Sequence, residues 1–173
     1  DALAHLPELP TDKQDTRAEL LAHVLATMAK NNPNASVYLD AGHSGWRSAD
    51  ETGILLTRVR SHGGKVERIS LNVSNFQSEE NSVEYGRKVA EKFGSPLKLL
   101  IDNSRNGGQL DDPAAWCNPS GQRLGALGDK NFDPNADVET AFIKARGESD
   151  GECGISSKRA GDFDDGLIKH QLQ

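Results

Sequence analysis

The 173-residue chain lacks any apolar run near the roughly 20 residues that a membrane-spanning helix needs, which excludes such a helix. It also lacks a basic excess, since 20 Lys and Arg stand against 26 Asp and Glu for a formal net charge of -6. Counterion release needs clustered cations, so nucleic acid is not an expected partner. The opening Asp1-Ala2-Leu3-Ala4-His5 has neither a basic stretch nor a long apolar core, so no signal peptide is visible, as in a mature or cut chain. Cysteine is nearly absent. Cys117 and Cys153, 36 residues apart, fit no four-ligand zinc pattern and leave open either one disulfide or two inert thiols. A bridge would stabilise by roughly 3–4 kcal/mol on the chain-entropy model and point to an oxidising compartment. What remains, 35% hydrophobic and 27% charged, is ordinary globular composition, with one domain as the default.

Along the chain, helical and strand patterns alternate. In Thr11 to Asn31, Leu20, Leu21, Val24, Leu25 and Met28 recur at spacings that line one helix face; the start is acidic at Asp12 and Asp15, and Asn31-Asn32-Pro33-Asn34 stops it. Ser36 to Ala41 reads as a buried strand. Ser48 and Glu51 form a capping box opening a second helix, carried by Ile54, Leu55, Leu56 and Val59 and ended by Gly63-Gly64. A strand over Val66 to Val73 follows, then a helix from about Ser78 to Phe93 with Val83, Val89, Ala90 and Phe93 inward and Gly94 as its stop. Leu97 to Asp102 is the third strand, Asn103 to Asp137 a long loop-rich stretch, and Ala141 to Lys144 a weaker fourth strand. Strand starts near 36, 66, 97 and 140 separated by helices predict βαβ units, hence an α/β fold with a parallel sheet.

Parallel α/β folds place their sites at the carboxyl ends of strands, and each predicted strand end carries a polar cluster. These are Asp40-Ala41-Gly42-His43, Asn72-Val73-Ser74-Asn75, Asp102-Asn103-Ser104-Arg105 and Lys144 to Asp150. Any one could be a capped turn; four on one edge favour a site. Gly42-His43-Ser44-Gly45-Trp46 approaches a nucleophile elbow but has Trp46 where the sharp bend needs Gly. Asp129 to Asp137 spaces acids and amides like a calcium loop, yet Pro134 stands where the tight turn needs Gly and Thr140 where the closing Glu belongs, which favours a solvated polar loop without metal. Lys144, Glu148 and Asp150 place a cation and two carboxylates within seven residues, able to fix a polar substrate while one carboxylate activates water. A salt-bridged surface turn fits that spacing equally. Trp46 and Trp116, the only tryptophans, both fall in polar loops. Core packing is the commoner use of Trp; a flat platform for a sugar ring, with hydrogen-bonding groups around it, is the other.

The residues Leu39-Asp40-Ala41-Gly42-His43-Ser44-Gly45-Trp46, Leu71-Asn72-Val73-Ser74-Asn75-Phe76, Ile101-Asp102-Asn103-Ser104-Arg105-Asn106-Gly107, Trp116-Cys117-Asn118-Pro119 and Gly147-Glu148-Ser149-Asp150-Gly151 carry a resemblance. In that order the sequence resembles glycoside hydrolase family 6, the inverting cellulases, over nearly its whole length. The resemblance implies a distorted, incomplete (β/α) barrel of parallel strands, of which residues 1–173 carry about four βα units as a single unit. It implies hydrolysis of β-1,4-glucosidic bonds in cellulose with inversion, Asp150 matching the proposed base with Arg105 and Asp102 in support. His43, Trp46, Asn72, Trp116, Lys144 and Glu148 match substrate-binding residues. Cys117 and Cys153 match a family disulfide, which implies secretion. No cofactor or metal is implied; the partner is β-1,4-glucan, with no membrane or nucleic acid.

The match corresponds to the C-terminal half of such an enzyme. Inversion needs an acid and a base roughly 6.5–9.5 Å apart, and only the base side is present by motif. The expectation is a cellulase whose acid, and a cover for its open sheet edge, come from a missing N-terminal half. A glucan-binding remnant without turnover is the alternative, and a serine esterase acting through Ser44 is the third.

Overall fold

Periodicity and one stop signal define the first helix, α1, over Thr11–Asn31. It belongs to a computed structural model that describes residues 1–112, 114–126 and 133–173. The buried line of α1 is Ala18, Ala22 and Leu25, while Leu20 and Val24, expected to face inward, are 55% and 53% exposed. Close approach is the reason. A methyl group added at Gly64 would stand 3.0 Å from Ala22 Cα, so α1 lies too near this turn for a side chain larger than alanine at position 22.

Four strands, β1 (Leu39–Asp40), β2 (Arg68–Leu71), β3 (Lys98–Asp102) and β4 (Val138–Ala141), form one sheet in that order, every neighbouring pair parallel. Between them, α2 (Ala49–Ser61) joins β1 to β2 and α3 (Glu79–Phe93) joins β2 to β3. The Ser48 capping box forms: Glu51 N–H donates to Ser48 Oγ at 3.2 Å and Ser48 N–H to Glu51 Oε2 at 3.0 Å. Such a cap stabilises a helix by about 1 kcal/mol. Gly94 ends α3 at φ 74°, a left-handed turn that glycine adopts without strain.

Strand alternation decides what each sheet face does. Ile69, Leu71, Leu99 and Ile101 share one core with Leu55, Leu56 and Val59 of α2 and Tyr85, Val89 and Phe93 of α3. Ile54, expected in that core, is 57% exposed. Where α3 meets the sheet, Gly86 leaves no room for a side chain: a Cβ would stand 2.6 Å from Leu99 Cδ1 and 2.8 Å from Leu71 Cδ1. Ser70, Leu100 and Asp102, alternating with the core residues, turn to the opposite face.

Two strands differ from the pattern. Of the expected 36–41 the strand is Leu39–Asp40, paired with Ile69 and Ser70; Ala41 N–H still donates to Ser70 O and Asn72 N–H to Gly42 O, both at 2.9 Å, so bonding to β2 runs on to the turn at Gly42, φ 73°. At the other edge β4 lies at Val138–Ala141 and not over 141–144, because Ile143 and Lys144 donate their amides at 3.0 and 3.2 Å to the Asp102 carboxylate instead of to a strand. The closing helix, α4, spans Asp165–Gln171. Of the calcium-like stretch, Asp129 to Phe132 lie outside the described residues, and Asp133 accepts from Asn135 N–H in a turn at 2.8 Å.

Candidate active site

The strand ends need side chains to complete their hydrogen bonding, and Asp102 at the end of β3 supplies most of it. Oδ1 accepts from Ser104 N–H at 2.9 Å, Ser104 Oγ at 2.5 Å and Ile143 N–H at 3.0 Å. Oδ2 accepts from Ser74 N–H at 2.9 Å and Lys144 N–H at 3.2 Å. One carboxylate thereby ties together the loops after β2, β3 and β4. Asn72, at φ 62°, adds to this tie, donating to Asp102 O at 2.9 Å and accepting from Gln77 N–H at 2.9 Å. Asp102, expected to support the base, and Asn72, expected in a sugar subsite, are fully buried, and neither lines the cleft beside them. Buried polar atoms stay where their partners are, and both side chains spend their polar atoms on backbone and on Ser104.

Six of the expected residues do converge. His43, Trp46, Trp116, Lys144, Glu148 and Asp150 line one cleft of about 680 Å³. Asp150 is held from behind: Arg105, fully buried, donates through Nη1 to Asp150 Oδ2 at 2.8 Å, and Asn118 N–H donates to the same oxygen at 3.2 Å. Arg105 also donates to the Ser74 carbonyl, and its guanidinium lies 4.3 Å from the centroid of the Phe76 ring. Asp150 Oδ1 has the Lys144 ammonium at 3.7 Å, and Lys144 pairs in turn with Glu148 Oε1 at 2.5 Å. The side chains of Lys144 and Asp150 are only 12% and 10% exposed, so this is no solvated surface turn.

The tryptophans take their places in the same cleft. Trp116 is 64% exposed, which removes it from the core. Trp46 is packed edge-on by His5, ring centroids 4.5 Å apart, with the His43 ring 5.9 Å away. Glu8 accepts from Arg47 at 2.6 Å and bonds His5 Nδ1 at 2.7 Å; the His5 bond is the main cause holding its carboxyl below the usual range, with Trp46 a smaller one. Burial pushes the His43 imidazole below its ordinary value, favouring the neutral ring, and Asp40 partly opposes this. Ser44, the hydroxyl of the esterase reading, donates to Gln77 Oε1 at 3.4 Å, and His43 Nδ1 has no hydrogen-bond partner among the described residues.

Cys117 and Cys153 form a disulfide, Cα atoms 5.9 Å apart, so the Trp116 loop is stapled to the loop that carries Asp150. Among the described residues no group of three or more His, Cys, Asp or Glu could hold a metal ion. Sequence reasoning quoted two further residues without a role. Ser74, at φ 59°, bonds both Asp102 and Arg105 through its backbone, and Asn118, at φ 42°, grips the Asp150 loop. Their signal was faint: both are small polar residues in loops, where turns use such residues routinely.

Residues 1–167 match the family described as glycosyl hydrolases family 6. Endoglucanase 1 of Streptomyces halstedii is 34% identical over 155 residues, covering 86% of this chain and 46% of that protein. Endoglucanase A of Cellulomonas fimi is 33% identical over 154 residues, covering 88% of this chain and 32% of that protein. The chain thus spans about half, or less, of the length of these curated relatives. The solved endoglucanase Cel6 from Mycobacterium tuberculosis, in complex with methyl-cellobiosyl-4-deoxy-4-thio-β-D-cellobioside, shares the fold at a TM-score of 0.83 and 38% identity, over 99% of this chain and 58% of that one. Beside that likeness, the open four-stranded parallel sheet with its helices is a partial α/β barrel. In sequence and in fold, the chain belongs to glycosyl hydrolases family 6.

Proposed function

We propose that this chain forms the water-activating side of a cleft that hydrolyses β-1,4-glucosidic bonds of cellulose with inversion. The observation that carries the reading is one cleft holding both a braced carboxylate, Asp150, and two tryptophans, Trp46 and Trp116. Arg105 and Asn118 commit Oδ2 to the protein, so Oδ1 is the oxygen that takes a proton from water as that water attacks the anomeric carbon. The bond from that carbon to the leaving oxygen breaks on the opposite face, where inversion requires an acid to supply a proton. Lys144 and Glu148 hold sugar hydroxyls beside Asp150, His43 offers a neutral imidazole, and the indole faces take the apolar faces of the rings. The endoglucanase names of the relatives support this substrate, and the Cys117–Cys153 disulfide supports an oxidising, extracellular setting.

Titration calorimetry with a cello-oligosaccharide tests the binding half of the reading. Trp46→Ala and Trp116→Ala should each cost about 1–2 kcal/mol, roughly a 5- to 30-fold weaker Kd, from lost stacking and apolar burial. Unchanged affinity in both variants overturns it. Reducing-sugar release from soluble β-1,4-glucan tests the chemistry. With an acid-bearing N-terminal half of such an enzyme supplied, release that Asp150→Asn abolishes is the expected result, and release that continues undiminished in that variant removes Asp150 from the role of base.

A further inference from the structure

Asn118 bonds to the Asp150 loop at several points. It is fully buried, its backbone is held at φ 42° in the left-handed region, and it follows Cys117 of the disulfide directly. Its Oδ1 accepts from Asp150 N–H at 3.0 Å while its own N–H donates to Asp150 Oδ2 at 3.2 Å, so the two residues clasp each other through backbone and side chain at once. Its Nδ2 donates to Gly151 O at 2.8 Å and Ser149 Oγ at 3.2 Å, the residues on either side of Asp150. Three successive positions of one loop are therefore gripped by one amide side chain, and the disulfide to Cys153 closes the far end of that loop. Arg105 reaches the Asp150 carboxylate from another direction, and Lys144 with Glu148 completes the charged groups around it.

We infer that Asn118 is a positioning residue that aims the Asp150 carboxylate, which rests on the reading of Asp150 as the base. The side chain does not line the cleft; it acts through the Asp150 backbone and through its own N–H, held in left-handed geometry. Asn tolerates that geometry better than most residues, and its amide supplies an acceptor and two donors together.

The test compares Asn118→Gly, which keeps the left-handed backbone and its N–H but removes the grip, with Asn118→Asp, which keeps the acceptor facing Asp150 N–H. In the full chain, amide exchange at Asp150 should quicken at least about tenfold in Asn118→Gly, the loss of one hydrogen bond, with core amides of β2, β3 and α3 unchanged. The Asp150 carboxyl carbon resonance, assigned by its disappearance in Asp150→Asn, should move. Asn118→Asp should restore the protection of the Asp150 amide. Where the chain releases sugar, kcat should fall about 100-fold in Asn118→Gly with KM and cello-oligosaccharide affinity held, as for a reacting group misplaced by about 1 Å. Unchanged exchange and resonance in Asn118→Gly overturn the inference. Loss of cooperative unfolding in that variant also overturns it, because Asn118 is then a determinant of the fold. Sugar release that is absent, or indifferent to Asp150→Asn, bears on the catalytic reading alone, since exchange and resonance report the grip without turnover.

Discussion

Asp102→Asn is a change of one atom that should unsettle three loops. The amide keeps a single acceptor oxygen. If that oxygen stays with the three donors at Oδ1, the new NH2 group faces the N–H groups of Ser74 and Lys144, which approached Oδ2 at 2.9 and 3.2 Å. Asp102 is fully buried and both bonds are partly buried, so water replaces the lost acceptor poorly. A buried donor without a partner costs about 1–3 kcal/mol, and bonds to a neutral acceptor are weaker than those to a carboxylate. The two losses together come to about 3–5 kcal/mol, a large share of the roughly 5–15 kcal/mol that holds a typical domain. In a chain of this size the midpoint of melting should drop by about 6–20 °C. Urea unfolding followed by circular dichroism measures it, with an unchanged slope marking a true stability difference. A loss below about 1 kcal/mol at the same slope would refute the claim that this carboxylate ties the loops after β2, β3 and β4.

Three other expectations follow from the packing and the charges. Gly64→Ala should destabilise by about 1–3 kcal/mol, since the new methyl meets Val59 Cγ1 at 2.8 Å and both Ala22 Cα and Val59 O at 3.0 Å; a stability equal to the parent in urea would show that α1 can move away. Burial lowers the His43 imidazole in the folded chain, so below its ordinary value of 6.5 the unfolded state binds the extra proton and stability falls with falling pH. His43→Gln should therefore show a shallower loss of stability between about pH 7 and pH 5, and identical pH dependence would contradict the burial argument. Reduction of Cys117–Cys153, which spans 36 residues, should cost about 4 kcal/mol by the chain-entropy relation, read as a shift of the urea midpoint with and without reductant.

The helices were legible because their signals are local. The box at Ser48 and Glu51 and the glycine stop at Gly94 act within four residues, and both appear where the pattern puts them. The inner face of α1 was not legible, because apolarity ranks Leu20 and Val24 above Ala18 and Ala22, and only the proximity of Gly64 makes small residues the ones that fit. The fourth strand was misplaced for a related reason. Apolar Phe142 and Ile143 read as strand, but the acceptor that captures the Ile143 amide is a side chain 41 residues earlier.

The candidate site divides in the same way. Residue types at strand ends marked four polar clusters, and six of the expected side chains meet in one cleft. By itself the sequence determined the family, the order of helices and strands and the chemistry available at each strand end, because these depend on residue identity and short spacing. Only the tertiary structure decided that Lys144 and Asp150 are shielded and not a surface turn, that Asp102 and Asn72 serve the scaffold, and that Asn118 grips the Asp150 loop. Those outcomes rest on contacts between residues 28 to 45 positions apart, such as Ser74 with Asp102 and Arg105 with Asp150, and burial and hydrogen bonding at such separations exist only once the sheet has set the loops side by side.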